Sequence, residues 1–150
     1  MINIYTDGAS RGNPGPGGYG VVLLYGSLRK ELSEGFRLTT NNRMELLSVI
    51  AGLECLKKDG TAVTIYSDSK YVVDAVEQKW VFGWEKKNFK DKKNPDLWIR
   101  FLRIFRKHQV KFVWVKGHAT NKENNRCDEL AVAAAMGKDL KIDTGYEQSI

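Results

Sequence analysis

Ile2, Ile4 and Thr6 fall on one face of a short alternating run that closes on Asp7. Further along, Val63, Ile65 and Ser67 alternate in the same way. There Ile65-Tyr66-Ser67-Asp68 repeats Ile4-Tyr5-Thr6-Asp7 with a single Thr/Ser exchange. Each run predicts a strand that ends in an aspartate followed by small residues. Two more strands are predicted at Tyr19 to Leu28 and Lys30 to Thr40, joined near Gly26-Ser27. So short a connection makes them antiparallel. Gly8 to Gly18 is rich enough in glycine and proline to predict a tight loop.

The period then lengthens. Asn41-Asn42 opens a helix that runs from Arg43 to about Lys58 and stops at Asp59-Gly60. A short helix is predicted from Ser69 to about Gln78. Another runs from Pro95-Asp96 to about Lys107, with Leu97, Trp98, Phe101, Leu102 and Phe105 at helical spacing. Val110 to Val115 reads as a strand, Lys116 to Asn121 as a loop, and Lys122 to Met136 as an Ala-rich helix. Lys79 to Asn94 predicts a short helix and an exposed loop. Gly137 to Ile150 is a polar tail with nothing in its pattern to hold it in place. This order predicts an α/β domain: a five-stranded mixed sheet, three leading antiparallel strands, and helices on both faces.

With 150 residues the chain forms one domain, 1–150, large enough for a core. No apolar run approaches the ~20 residues of a membrane span. The first residues enter a strand directly, without a basic, signal-like start, so a cytoplasmic location is expected. Cys55 and Cys127 match no zinc spacing, and with only His108 and His118 beside them they are expected to be small buried apolar residues. Charge alters the picture more. The net charge is +6, and Lys79, Lys86, Lys87, Lys90, Lys92 and Lys93 crowd one stretch against only Glu85 and Asp91. Trp80, Phe82, Trp84 and Phe89 interleave with these lysines, a mixture that suits nucleic acid. A nucleotide-cradling loop is disfavoured. Asn13 to Gly18 lacks G-x-G-x-x-G spacing and any Gly-Lys-Ser/Thr, and its prolines remove amides.

Two helical carboxylates sit on faces that should be apolar. Glu54, Lys57 and Lys58 mark the polar side of the first long helix, and Glu45 lies about half a turn of the wheel from Glu54, near Ser48, Val49, Gly52 and Leu56. On the last helix Asp128 shares its side with Ala131, Val132 and Ala135, while Arg126 and Glu129 point elsewhere. A carboxylate facing a sheet is costly unless paired or metal-bound. Each acid has an ordinary alternative: a turn residue for Asp7 or Asp68, an ion pair with Arg43 or another Arg for Glu45, a first-turn dipole contact for Asp128. Together, Asp7, Glu45, Asp68 and Asp128 make a candidate cluster. Oxygen donors without imidazole or thiolate select Mg²⁺ or Mn²⁺, and several carboxylates can hold two ions about 4 Å apart for phosphodiester hydrolysis.

Five blocks occur in order: Tyr5-Thr6-Asp7-Gly8 with Asn13 to Gly18, Thr39 to Leu46, Ser67-Asp68-Ser69, Trp114 to His118, and Cys127 to Ala131. They span nearly the whole chain and resemble ribonuclease H of the type 1 bacterial form. The resemblance implies the ribonuclease H-like fold and hydrolysis of the RNA strand of an RNA–DNA hybrid, with two Mg²⁺ ions (Mn²⁺ substituting) and in-line attack by water. It implies a monomer and casts Asp7, Glu45, Asp68 and Asp128 as metal ligands. It adds His118 as an aid to proton transfer or product departure. It also implies that Asn13, Asn41, Asn42 and Lys70 read the RNA 2′-OH, with one of Asn41 and Asn42 doubling as the helix N-cap. Thr40 and Asn94 would hold a DNA phosphate. Trp80, Trp84, Lys86, Lys87 and Lys90 would belong to a basic protrusion on the DNA strand. The chain departs from the pattern at Leu38, where some relatives place an Arg, with Arg37 beside it, and at Phe89, where others have Trp. The competing reading is a hybrid-binding module of the same fold without chemistry. A pure binder gains nothing from clustered carboxylates facing phosphates.

Overall fold

The computed structural model describes residues 1–116 and 121–150. Strands β1 (Ile2–Ser10), β2 (Gly15–Tyr25) and β3 (Leu28–Thr39) lead into helix α1 (Asn41–Glu54). Then come β4 (Ala62–Ser67), α2 (Lys70–Glu77), α3 (Trp80–Lys86), α4 (Pro95–Phe105), β5 (Gln109–Trp114), α5 (Lys122–Ala135) and α6 (Thr144–Glu147). The sheet order is β3-β2-β1-β4-β5. The three leading strands pair antiparallel, and β1, β4 and β5 pair parallel.

The repeated phrase explains the centre of this sheet. β1 and β4 are neighbours in matched register, with Ile4 opposite Ile65, Tyr5 opposite Tyr66 and Thr6 opposite Ser67. Tyr5 and Tyr66 stack with ring centroids 4.4 Å apart. Ile4 and Ile65 enter the core beneath α1, where Met44, Val49, Ile50 and Leu53 meet Trp98 and Phe101 of α4. Helices cover both faces, as neighbouring residues of β2 show. Val21 packs against Gly52 of α1, whereas Gly20 lies against Cys127 and Leu130 of α5.

Several expectations need correction. The Gly8–Gly18 run is not one loop. Gly8 to Ser10 extend β1, and Gly15 to Gly18 begin β2, which leaves only 11–14 as the connection. Glycines of this run serve close approach: a Cβ at Gly18 would collide with the Ala131 carbonyl of α5. The N-cap of α1 is neither Asn41 nor Asn42. Thr40 Oγ1 accepts the Arg43 backbone N–H at 3.2 Å, and the helix ends at Glu54, about a turn before Lys58. Cys127 is buried, but Cys55 is only half-buried.

The tail is fastened at several points. Lys141 exchanges backbone hydrogen bonds with Gly35 and Arg37, both 2.9 Å. The Asp143 carboxylate takes the Arg43 Nε–H at 2.8 Å, and Glu147 holds Arg37 through Nε and Nη2. Arg37 is therefore committed to the tail, and Leu38 beside it is half-buried.

Candidate metal centre and nucleic-acid interface

Because β1 and β4 share a register, Asp7 and Asp68 occupy equivalent places just past the Thr6–Ser67 pair. Glu45 reaches them from the first turns of α1. The helix can sit so close only because Gly8 has no side chain, since a Cβ there would enter the α1 backbone at Met44 and Glu45. The Gly8 N–H donates to Asp7 Oδ1 at 3.0 Å and also to Glu45 Oε1. One ligand oxygen from each of Asp7, Glu45 and Asp68 lies within 4.8 Å of the others. Asp128, half-buried on α5, adjoins Asp7 and adds its charge there. Of the four acids named in the sequence, three converge and the fourth flanks them.

Burial and the neighbouring Asp68 charge push Asp7 up to about 8. Burial and the charges of Asp7 and Asp68 raise Glu45 well above the usual carboxylate range. Among the described residues Glu45 forms no ion pair, and Arg43 is taken by Asp96 and Asp143. Asp68 Oδ1 is buried with no hydrogen-bond partner among the described residues. A trio of mutually repelling carboxylates with an orphaned oxygen fits a divalent cation, and its all-oxygen donor set fits Mg²⁺ or Mn²⁺.

Around this centre lie the other candidates. Asn13 Oδ1 accepts the Asn41 backbone N–H at 3.1 Å, which joins the β1–β2 connection to the start of α1. Asn13, Thr40, Asn42 and Asn94 line one depression together with Lys92 and Lys93. Lys70 opens α2 just beyond Asp68, and its ammonium lies 5.0 Å from the Trp114 ring centroid. Trp114 Nε1–H donates to the Asp68 carbonyl at 3.3 Å. Sequence reasoning passed over Gly8 and Trp114 as individuals. The glycine directly after Asp7 was the available signal for the first, and the aromatic residue closing β5 for the second. His118 lies outside the described residues.

The basic stretch folds tightly. Lys79, Asn88, Phe89, Asp91 and Asn94 all adopt positive φ, between 52° and 64°. Phe89 is buried, and its backbone N–H donates to the Trp84 carbonyl at 2.8 Å. Trp80 is 52% exposed, while Trp84 sets its edge against Trp98 and carries Lys92 5.0 Å from its ring. Trp80, Trp84, Lys87 and Lys90 line one shallow depression, which does not include Lys86. Neutralising Lys86, Lys87 and Lys90 together is expected to raise KM for a polyanionic substrate. It should also flatten the log–log salt dependence by a slope of about 2–3. A slope equal to that of the unaltered protein would leave these lysines as a solvated face.

Fold and site together define a class, an α/β nuclease of a type that works with divalent metal. The RNase H family model matches residues 1–136. A ribonuclease H of Syntrophus aciditrophicus is 60% identical over 151 aligned residues, covering 97% of this chain and 87% of the relative. Ribonuclease HI of Synechocystis sp. is 51% identical, covering 97% of this chain and 94% of that one. Among solved structures, LC9-RNase H1 superposes with a TM-score of 0.83 at 33% identity, over 99% of this chain and 79% of that one. LC11-RNase H1, solved with an RNA/DNA hybrid, gives 0.67 at 29% identity, over 90% of this chain and 96% of that one. The chain belongs to the ribonuclease H family. Its activity is endonucleolytic hydrolysis of the RNA strand of RNA–DNA hybrids.

Proposed function

We propose that Asp7, Glu45, Asp68 and Asp128 hold two Mg²⁺ ions, replaceable by Mn²⁺, and that the RNA strand is cut there by in-line attack of water. The observation that carries this reading is the carboxylate trio within 4.8 Å, Asp7 and Glu45 buried and Asp68 half-buried, with one Asp68 oxygen unpaired among the described residues. When bound, the ions supply Lewis acidity at the scissile phosphate. The protein supplies position. The Gly8 N–H fixes Asp7 and Glu45 before substrate arrives, so little reorganisation is needed at the moment of reaction. His118 assists proton transfer or product departure.

Selection of the strand belongs to the rim. Asn13, Asn41, Asn42 and Lys70 read the 2′-OH, the group that separates RNA from DNA at a given sugar. Thr40 and Asn94 hold a phosphate of the DNA strand. Trp80, Trp84, Lys86, Lys87 and Lys90 bind that strand further along. The protein acts as a cytoplasmic monomer. None of its described helices is long and apolar enough to cross a membrane. With Mg²⁺ the protein is expected to cut the RNA of a labelled hybrid and leave its DNA strand and duplex DNA intact on the same gel. Equal cutting of duplex DNA would overturn the strand-selective reading.

A further inference from the structure

Thr40 and Asn94 reach their common depression from separate segments, Thr40 from the corner between β3 and α1 and Asn94 from the residue before α4, at φ 63°. Arg43 joins them. Its backbone N–H donates to Thr40 Oγ1 at 3.2 Å, and its Nη1 donates to Asn94 Oδ1 at 3.3 Å. Asn94 Nδ2 donates onward to the Tyr71 hydroxyl at 3.0 Å, and that hydroxyl also takes the Trp98 Nε1–H at 2.9 Å. A guanidinium only donates, so it dictates that the amide oxygen of Asn94, not its nitrogen, faces Arg43. A threonine hydroxyl has one proton to give, and an asparagine amide has two. With both acceptor oxygens turned to Arg43 and one amide proton given to Tyr71, one O–H and one N–H remain for a ligand. Both are donors. They match a phosphate oxygen, which only accepts. A sugar hydroxyl or base-edge donor would have to share an oxygen already engaged by Arg43.

Arg43 does not reach the ligand itself, being 2% exposed. Asp96 grips it through Nη1 and Nη2, at 2.9 and 2.8 Å, and Asp143 through Nε and Nη2, at 2.8 and 2.9 Å. Thr39 Oγ1–H secures Asp143 at 2.7 Å. We propose that Arg43 is a positioning residue that turns the Asn94 oxygen inward and so biases the Thr40–Asn94 subsite toward donors, which favours a phosphate, with Tyr71 and the Asp143-bearing tail as its struts. This rests on the assignment of Thr40 and Asn94 to a DNA phosphate made above.

The test uses hybrids whose DNA strand carries one neutral methylphosphonate at successive positions. RNA cleavage is measured for the unaltered enzyme, Arg43→Lys and Tyr71→Phe, each checked by thermal melting. In the unaltered enzyme one DNA position is expected to raise KM about tenfold, with kcat unchanged, as suits a lost hydrogen bond to a charged group. Lysine keeps the charge but not the fork that spans three partners. Lysine keeps the backbone N–H that holds Thr40, so Arg43→Lys should bind the unmodified hybrid about threefold more weakly and show a penalty at that position reduced to about threefold, with an unchanged Mg²⁺ requirement. If Arg43→Lys keeps the full position-specific penalty, the proposal falls. It also falls if kcat drops with a shifted Mg²⁺ requirement, because Arg43 would then act through Glu45. Should Arg43→Lys not fold, Tyr71→Phe decides: a penalty reduced to about threefold supports the proposal, and a full penalty overturns it. An unaltered enzyme that cleaves hybrids without any sensitive DNA position overturns the Thr40–Asn94 assignment and with it the proposal, but leaves the nuclease itself standing.

Discussion

Asp68→Asn is expected to lower RNA cleavage by about 10³-fold or more while leaving hybrid binding within about twofold. The change keeps size and shape, so the half-buried site after β4 retains its packing. It alters charge and polarity at one place. The orphaned Asp68 oxygen lies buried beside Asp7 and Glu45. An amide there brings two donated protons where a cation needs an anionic oxygen. Binding depends on other parts. Asn13, Thr40, Asn42 and Asn94 lie around the depression at the start of α1, and the lysines lie beyond it on the protrusion. Removing a negative charge that faces phosphates should, if anything, tighten binding. Cleavage is followed on a labelled hybrid with Mg²⁺, and binding by anisotropy with EDTA. Turnover equal to that of the unaltered enzyme would take Asp68 out of the centre.

The sequence announced this centre through repetition and through misplaced polarity. Two matching phrases ending in aspartate implied adjacent strands, and the Ile4–Ile65 and Tyr5–Tyr66 pairs make them so. Glu45 and Asp128 broke the apolar faces of their helices, and both point toward Asp7. Periodicity reports which face is buried, so a carboxylate on that face stands out. It does not report what a single residue meets across the fold. Proximity in sequence offers Arg43 to Glu45, the acid two positions away, but its acids are Asp96 and Asp143. The pattern of the tail hides its attachment for the same reason, since its anchors are isolated contacts of Lys141, Asp143 and Glu147. Glycines misled in the other direction. A glycine that admits a helix, as Gly8 and Gly20 do, has the same letter as one that makes a turn, as Gly26 does at φ 59°.

Without metal, the residues proposed to bind it should destabilise the fold, and Asp7→Asn should make the protein more stable at pH 8. Burial and the Asp68 charge raise the Asp7 pKa from an ordinary 3.8 to about 8, and Glu45 rises for the same causes. For an acid whose folded pKa is raised, the folded state holds the proton more tightly than the unfolded chain does. That contribution to stability is fully present below the unfolded pKa and is lost as pH rises through the folded one. The metal-free enzyme should therefore lose stability between about pH 4 and pH 8 on account of these two groups. Asparagine at position 7 carries no charge at any of these pH values and still accepts the Gly8 N–H through its oxygen. Relief of about 2 kcal/mol would raise Tm by ~4–8 °C for a domain of this length at pH 8 in EDTA. The gain should shrink toward pH 4, where Asp7 is protonated in the unaltered protein. Millimolar Mg²⁺ should cancel or reverse it at pH 8, because a cation that binds only the folded state stabilises the intact cluster and not the variant. Thermal melts of both proteins at pH 5 and 8, with EDTA and with Mg²⁺, decide the matter. Equal Tm values at pH 8 in EDTA would mean that the three carboxylates share their space without repulsion, and the case for a cation between them would lose its physical basis.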